Sequence, residues 1–305
     1  MEQTKSLFEQ YIATIPSQQA RINAKGMWKW IRPFVQQYGV PLEEMTRDNI
    51  VTLLNSKPSA SPTTMRGRIA MLRAFFNWAQ EQNEHVPNPA ADISYREIDY
   101  SVEMASTYWP SYTSLLNVLN TIWTPDEGLP VYPVTALAWA GMPYNIVGTL
   151  PAKDIDFDNA QIHYHNLHLD LTPDLIDVLR RYSAFTAARR DNRMTMIRTY
   201  QSDAFLYRLD IQNRRNSEGS TNPIDAADVL WDASETLTER HLCSTLHYRD
   251  IVKSGWLYRM YLMEQAGQPV ADVLAYGKAG LKPPAAYPGD LKLIYAAYKK
   301  AFNLN

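Results

Sequence analysis

Apolar residues recur at helical spacing through the first 95 residues. Phe8, Tyr11 and Ile12 sit at i, i+3 and i+4. Met27, Trp30, Ile31 and Phe34 extend the same rhythm, and Pro33 bends or ends that run, while Ile22 falls outside the spacing. Thr46 opens a capped segment with an apolar face at Ile50, Leu53 and Leu54. After a turn at Ser56–Pro62 comes the clearest stripe, made by Met65, Ile69, Leu72, Phe76 and Ala79, with Phe75 and Trp78 beside it. Asn88-Pro89 closes this unit. The pattern predicts a four- or five-helix domain over residues 1–95.

Residues 96–107 are polar and mildly acidic, with no strong apolar period, and are expected to be a linker. A second domain is expected over 108–305. Tyr112–Trp123 and Val134–Leu150 predict helices. Residues 154–165 read as strand, Asp-Asn turn, strand, with a short third strand at Leu169–Leu171. Thr172-Pro173-Asp174 caps a helix running to about Tyr182. Residues 186–240 are Arg-rich, then polar, and only weakly periodic, with a loop at Asn216–Pro223. Leu246–Ala266 predicts one long helix or two. Leu291, Ile294, Tyr295, Tyr298 and Phe302 form the apolar face of a tail helix.

Composition changes this picture little. A chain of 305 residues with 46% hydrophobic and 20% charged residues has ample core material for two domains. The single cysteine, Cys243, excludes an internal disulfide framework and fits a reducing compartment. No apolar run is long enough to span a membrane, and the N-terminus lacks a signal-peptide core, so a cytoplasmic protein is expected.

The net charge of −2 gives no whole-chain argument for nucleic acid, but its distribution does. Residues 21–73 hold nine Lys/Arg (Arg21, Lys25, Lys29, Arg32, Arg47, Lys57, Arg66, Arg68 and Arg73) against three acids. Residues 180–215 hold nine Arg, including Arg189, Arg190 and Arg193, against three acids. Two basic segments in a neutral chain are either phosphate-facing surfaces or solvated faces. His163 and His165 are placed on one strand face, but without a cysteine or acidic partner at ligand spacing no metal site is expected. No cofactor is expected either.

Residues 60–92, with a Ser/Thr pair, an Arg-bearing helix, an aromatic pair before Trp78-Ala79 and then Asn88-Pro89-Ala90, resemble the core-binding domain of the tyrosine recombinases (phage integrases). Residues 134–158 resemble the opening of that family's catalytic domain. Leu274-Ala275-Tyr276-Gly277-Lys278, with Tyr287 nine positions after Lys278, is similar to the stretch that carries its attacking tyrosine. The resemblance implies a mainly α fold with a small β-sheet. A helical, SAM-like core-binding domain would join an α+β catalytic-like domain in a C-shaped clamp.

That chemistry needs two arginines to hold the charge on a phosphoryl group and a Lys or His to protonate the leaving oxygen. On the resemblance, the first arginine position is Pro143. The His and second arginine positions are Lys253 and Trp256; a second register puts Val252 at the arginine position. The later His position is Lys278, the nucleophile position is Tyr287, and the hairpin where a lysine is expected carries His163, His165 and His168 instead. Arg208, Arg249, Lys253 and Arg259 are nearby groups that could substitute.

The resulting expectation is a sequence-specific double-stranded DNA-binding protein with most catalytic residues lost, of the phage-repressor kind, nucleoid-associated and encoded by a bacterium or phage. Lys25, Lys29, Arg32, Lys57, Arg66, Arg68, Arg73, Arg189, Arg190 and Arg193 are the candidate DNA contacts. The alternatives are a working recombinase using Tyr287 with a rearranged site, and an interaction scaffold that does not bind DNA. The tail helix, 291–302, is a candidate for self-association on DNA, with folding back onto its own chain as the other option.

Overall fold

A computed structural model describes residues 6–57, 59, 61–83, 86–123, 130–185, 203–206, 224–242, 246–280 and 290–304, and the backbone of 187–190, 194–198, 209–211 and 288–289. The architecture is mainly helical with small antiparallel sheets, as the sequence predicts. The chain divides into two units: residues 1–104 with 292–301, and residues 105–291 with 302–305.

The first unit is built on α1 (Leu7–Thr14), α2 (Gln18–Tyr38), α3 (Arg47–Ser56) and α4 (Pro62–Gln82). Side chains from the flanking residues close the first turns. Ser6 and Thr46 form reciprocal capping boxes with Glu9 and Asn49, and Ser17 and Ser61 accept from Ala20 and Thr64. The expected stripe on α4 is buried, from Met65 to Ala79. Its Phe75 ring lies 4.9 Å from Phe8, which stacks on Trp28 at 5.1 Å. Trp28 keeps its indole N–H bonded to Glu9 Oε1 at 3.2 Å, so the half-buried ring leaves no polar atom unmet.

The boundary between the two units falls within residues 96–107, and the segment carries regular structure. Tyr95–Glu97 is a 3-10 turn and Ser101–Thr107 is helix α5. Ile98, Tyr100 and Met104 are buried, so three apolar side chains tie the segment down despite its polar majority. The tail helix (Pro288–Phe302) lies largely with this first unit. Its Tyr295 and Tyr298 are buried and Lys300 bonds Asp99 at 2.7 Å. Of the two options for this face, folding back onto its own chain is the one that buries Tyr295 and Tyr298.

In the second unit, α6 (Tyr112–Asn120) precedes α7 (Val131–Ala140), every residue of which is buried. Helix α7 stops well before Leu150. Gly141 takes the left-handed conformation (φ 97°) that ends helices, and Pro143 then starts the short α8 (Tyr144–Val147). Strands β1 (Ile155–Asp156), β2 (Gln161–Tyr164) and β3 (Leu167–Asp170) form an antiparallel sheet in that order. His165 lies in the β2–β3 turn at φ 50°, not on the strand with His163. The third strand is therefore longer than expected and begins two residues earlier.

Helix α9 (Pro173–Ala184) starts with proline in its first turn, as predicted. A second antiparallel sheet, β4 (Ala187–Arg190), β5 (Met194–Arg198) and β6 (Leu209–Ile211), and helix α10 (Ala226–Glu239) occupy the region that shows little periodicity in sequence. Helix α11 (Tyr248–Gln265) is a single helix, followed by α12 (Val270–Gly280) and the tail helix, α13. Helix α7 is the hub, packed by α9, α10 and α11. The α7–α11 crossing is close because residue 255 is glycine: a Cβ there would sit 2.1 Å from the Trp139 carbonyl oxygen.

Candidate nucleic-acid interface

Helix α2 places Arg21, Lys25, Lys29 and Arg32 on one exposed face. At 100° per residue these four side chains fall within about 80° of arc, and they run over about 16 Å of helix. None of the four makes an ion pair among the described residues. Its opposite face buries Ala24, Met27, Ile31 and Phe34. The basic ridge therefore arises from the same period that builds the core. An anionic polymer tracking this helix meets four cations already facing solvent.

The arginines of α4 are differently employed. Arg73 donates through Nε to Ala90 O at 2.8 Å and through Nη2 to Ile93 O at 2.6 Å. It pins the loop after Asn88, whose own side chain bonds Asn77 at 2.6 Å. Arg68 donates to the Lys57 carbonyl and lies 5.4 Å from the Trp30 ring centroid. Burial pushes its pKa down from the usual arginine value. Arg66 lies 4.1 Å over Tyr95, while Lys57 itself is exposed. Arg189 and Arg190 lie on β4, where only the backbone is described, and Arg193 lies outside the described residues, as do Arg208 and Tyr287.

Of the positions singled out by the catalytic resemblance, Pro143 and Trp256 lie at the end of α7. Pro143 is the N-terminal cap of α8 and has no donor to offer. Lys253 and Trp256 lie on α11, one turn apart, and Lys278 is exposed on α12. Aromatic side chains close over the Gly141–Tyr144 corner. Tyr248 donates to Met142 O at 2.7 Å, and Tyr144 donates to Asp225 Oδ1 at 2.5 Å. Trp256 lies 4.6 Å from Tyr276, and its ring fills the space where any side chain at Gly280 would go, with a Cβ only 2.2 Å away.

Lys253 reaches Asp250 at only 3.9 Å and Tyr108 Oη at 3.4 Å. Burial pushes the Lys253 pKa down and the Asp250 pKa up, so desolvation exceeds the weak mutual attraction for both partners. Arg249 is exposed. Across the β2–β3 hairpin, His163 and His168 are paired in register with Nδ1 atoms 2.8 Å apart. Among the described residues no group of three or more His, Cys, Asp or Glu is arranged to hold a metal.

Arg259 is the cation that sequence reasoning undervalued. From α11 it donates through Nη1 to Trp139 O at 2.7 Å and through Nε to Tyr276 Oη at 2.9 Å. Its guanidinium lies 4.7 Å from the Trp256 ring centroid, and burial pushes its pKa down. Nothing local in the sequence marks it, because its partners come from α7 and α12.

No known protein family matches the chain, and no characterised protein matches it in sequence. Among solved structures, the chain is similar to the Tn1549 transposon integrase in complex with a circular intermediate DNA, at 14% identity and a TM-score of 0.38, covering 96% of this chain and 93% of that one. It is similar to XerA recombinase at 13% identity and a TM-score of 0.38, covering 97% and 95%. A complex of the same integrase with transposon right-end DNA stands at 13% identity and a TM-score of 0.38. No helix among the described residues is long and apolar enough to cross a membrane.

Proposed function

We propose that this chain is a sequence-specific double-stranded DNA-binding protein of tyrosine-recombinase type that does not cut its target and acts as a phage-type transcriptional regulator or repressor. The observation that carries DNA binding is the α2 ridge of Arg21, Lys25, Lys29 and Arg32, four exposed cations with no ion pair among the described residues. Each phosphate neutralised by such a cation releases counterions, so affinity falls as salt rises. Phosphate contacts of this kind set register and affinity; base-edge contacts supply the sequence preference.

The loss of cutting rests on chemistry. Proline at position 143 and tryptophan at 256 cannot carry the charge of a phosphoryl transfer. Loss of one well-aimed donor costs roughly two to three orders of magnitude in rate, and loss of two compounds that. A protein that occupies its site without opening it blocks whatever else needs that site.

Two experiments test the reading. Fluorescence anisotropy with duplex DNA is measured against salt; four phosphate contacts from α2 alone predict a log–log slope of about −3.6 or steeper. A slope near zero removes the proposal and favours an interaction scaffold. A nicked duplex that traps covalent intermediates is then incubated with the protein. A protein–DNA adduct lost in Tyr287→Phe establishes a working recombinase and refutes the regulator reading.

A further inference from the structure

Three histidines lie in the β2–β3 hairpin, and the structure sorts them. His163 on β2 and His168 on β3 are direct cross-strand partners. Both are exposed, while the neighbouring Ile162 is buried on the other face of the sheet. Their Nδ1 atoms are 2.8 Å apart and their ring centroids 5.0 Å apart, so nitrogen faces nitrogen. His165 is turned to a different neighbour: it sits in the turn at φ 50°, edge-on to the Tyr164 ring at 4.4 Å. Sequence spacing put His163 and His165 on one face; strand register selects His163 and His168 instead.

The DNA-binding reading gives this pair no role. A neutral imidazole presents one N–H and one bare nitrogen. Two facing Nδ1 atoms can therefore share a proton or converge on one metal ion, and neutral imidazole is the commonest metal ligand among side chains. With metal–nitrogen bonds of about 2.0 Å, two ligands at a right angle stand about 2.8 Å apart, whereas two at a tetrahedral angle stand about 3.3 Å apart. The 2.8 Å separation matches the right-angled corner, which is the geometry of tetragonal Cu(II) and Ni(II). The ladder holds the two backbone positions opposite each other. The rings themselves are exposed and turn about a broad torsion, so their lone pairs can swing to one side of the line joining them without moving the strands. The same face carries Asp156 and Asp170, both in register with Gln161, and their negative charge favours a cation there.

We propose that His163 and His168 form a two-histidine site for a divalent late transition metal of the Cu(II) and Ni(II) class, with solvent in the remaining coordination positions. Such a site needs no third side chain, so it is compatible with the lack of any larger ligand cluster among the described residues. Bound metal staples β2 to β3 next to their turn. The inference goes beyond the DNA-binding reading and does not rest on it.

Full-length, tag-free protein is titrated with Ni(II) by calorimetry and with Cu(II) by electron paramagnetic resonance, which counts coordinated nitrogens. One saturable metal per chain with two nitrogen ligands is expected in the wild type. Loss of a partner behind a ligand already costs about 10–100-fold in metal affinity, so loss of a ligand itself in His163→Gln or His168→Gln is expected to weaken binding by at least about ten-fold. His165→Gln is expected to bind as the wild type does. All three side chains are exposed, and circular dichroism checks that each variant folds. Metal is also expected to raise the melting temperature of the wild type and of His165→Gln, but not of the other two variants. Absence of saturable binding in the wild type leaves only a hydrogen bond between two rings and overturns the site. Binding that survives either His163→Gln or His168→Gln, or that falls equally in His165→Gln, overturns it as well.

Discussion

Gly255→Ala is the substitution that most directly tests how the α7–α11 crossing is built. The added methyl would sit 2.1 Å from Trp139 O, 2.9 Å from Trp139 C and 3.1 Å from Trp139 Cα. These are backbone atoms, so no rotamer change relieves the overlap. A carbon–oxygen contact needs about 3.3 Å, which means the helices must separate locally by about 1.2 Å. That separation also strains the 2.7 Å bond from Arg259 Nη1 to the same oxygen. Overpacking of this kind costs about 1–3 kcal/mol, and loss of a charged hydrogen bond about 1.5–3 kcal/mol. Against them stands a gain of about 1 kcal/mol from replacing a mid-helix glycine by alanine. The net expectation is a loss of about 2–4 kcal/mol and a fall of roughly 5–12 °C in melting temperature. Gly67→Ala, mid-helix in α4 with nothing within 4 Å of its added methyl, is the control and is expected to stabilise by up to about 1 kcal/mol. Urea and thermal unfolding followed by circular dichroism measure both. If Gly255→Ala melts at or above the wild type, the close approach is not a constraint and the reasoning fails.

Removing charge along α2 one residue at a time (Lys25→Ala, Lys29→Ala, Arg32→Ala) is expected to flatten the salt dependence of duplex binding by about 0.9 per residue without altering the melting temperature; unchanged slopes would clear α2 of DNA contact. Arg73→Ala is expected to lose about 2–4 kcal/mol of stability, because two backbone carbonyls lose a shared charged donor, and equilibrium unfolding checks it. Tyr298→Ala, at a fully buried position of α13, is expected to cost about 3–5 kcal/mol, and sedimentation of a folded 289–305 deletion identical to that of the full chain would place the tail's role inside one molecule. The Lys300 bond holds the Asp99 carboxyl down at about 2 from its usual 3.8, so this contact stabilises above the unfolded value and is lost as pH falls toward 2. Both partners are substantially exposed, so Asp99→Asn should cost under about 1 kcal/mol at neutral pH and nothing at pH 2, read from paired denaturation curves.

Periodicity exposed the elements whose burial is one-sided. The α4 stripe was legible because its apolar residues fall every three or four positions against polar ones, and the start of α9 was legible from Thr172-Pro173. Helix α10 was not, although its buried residues, Ala226, Leu230, Ala233 and Leu237, keep a helical period. Two of the four are alanines, which blur the contrast with the polar face. Strand β4 escaped because Ala-Ala-Arg-Arg lacks alternation, and β5 because it is short and pairs with a strand that begins eleven residues after its end. The end of α7 turned on backbone geometry at Gly141, where glycine and Pro143 together outweigh the apolar run that continues beyond. In the candidate interface, sequence located the cations but not their engagements. Charge counting treats Arg32 and Arg73 alike, while packing leaves one in solvent and ties the other to two carbonyls.

That distinction carries over to the corner around Gly141. Tryptophan at 256 and proline at 143 place no cation at this corner, yet each also sets what the neighbouring backbone can accept. Trp256 supplies an aromatic face to a guanidinium and a single N–H donor, both of which a phosphate-binding arginine would not leave free. Arg259, one turn along the same helix, lies against that face with its remaining edges on α7 and α12. The two residues therefore make sense as a pair: either alone would leave a buried charge without a face or a ring without a cation. Arginine alone at 256 should then be disruptive, because it brings two like charges together in a site that burial already penalises for one. Paired exchange, Trp256→Arg with Arg259→Leu, removes that repulsion. If the single and double variants unfold at the same denaturant concentration, the residues are not coupled and the corner is simple packing.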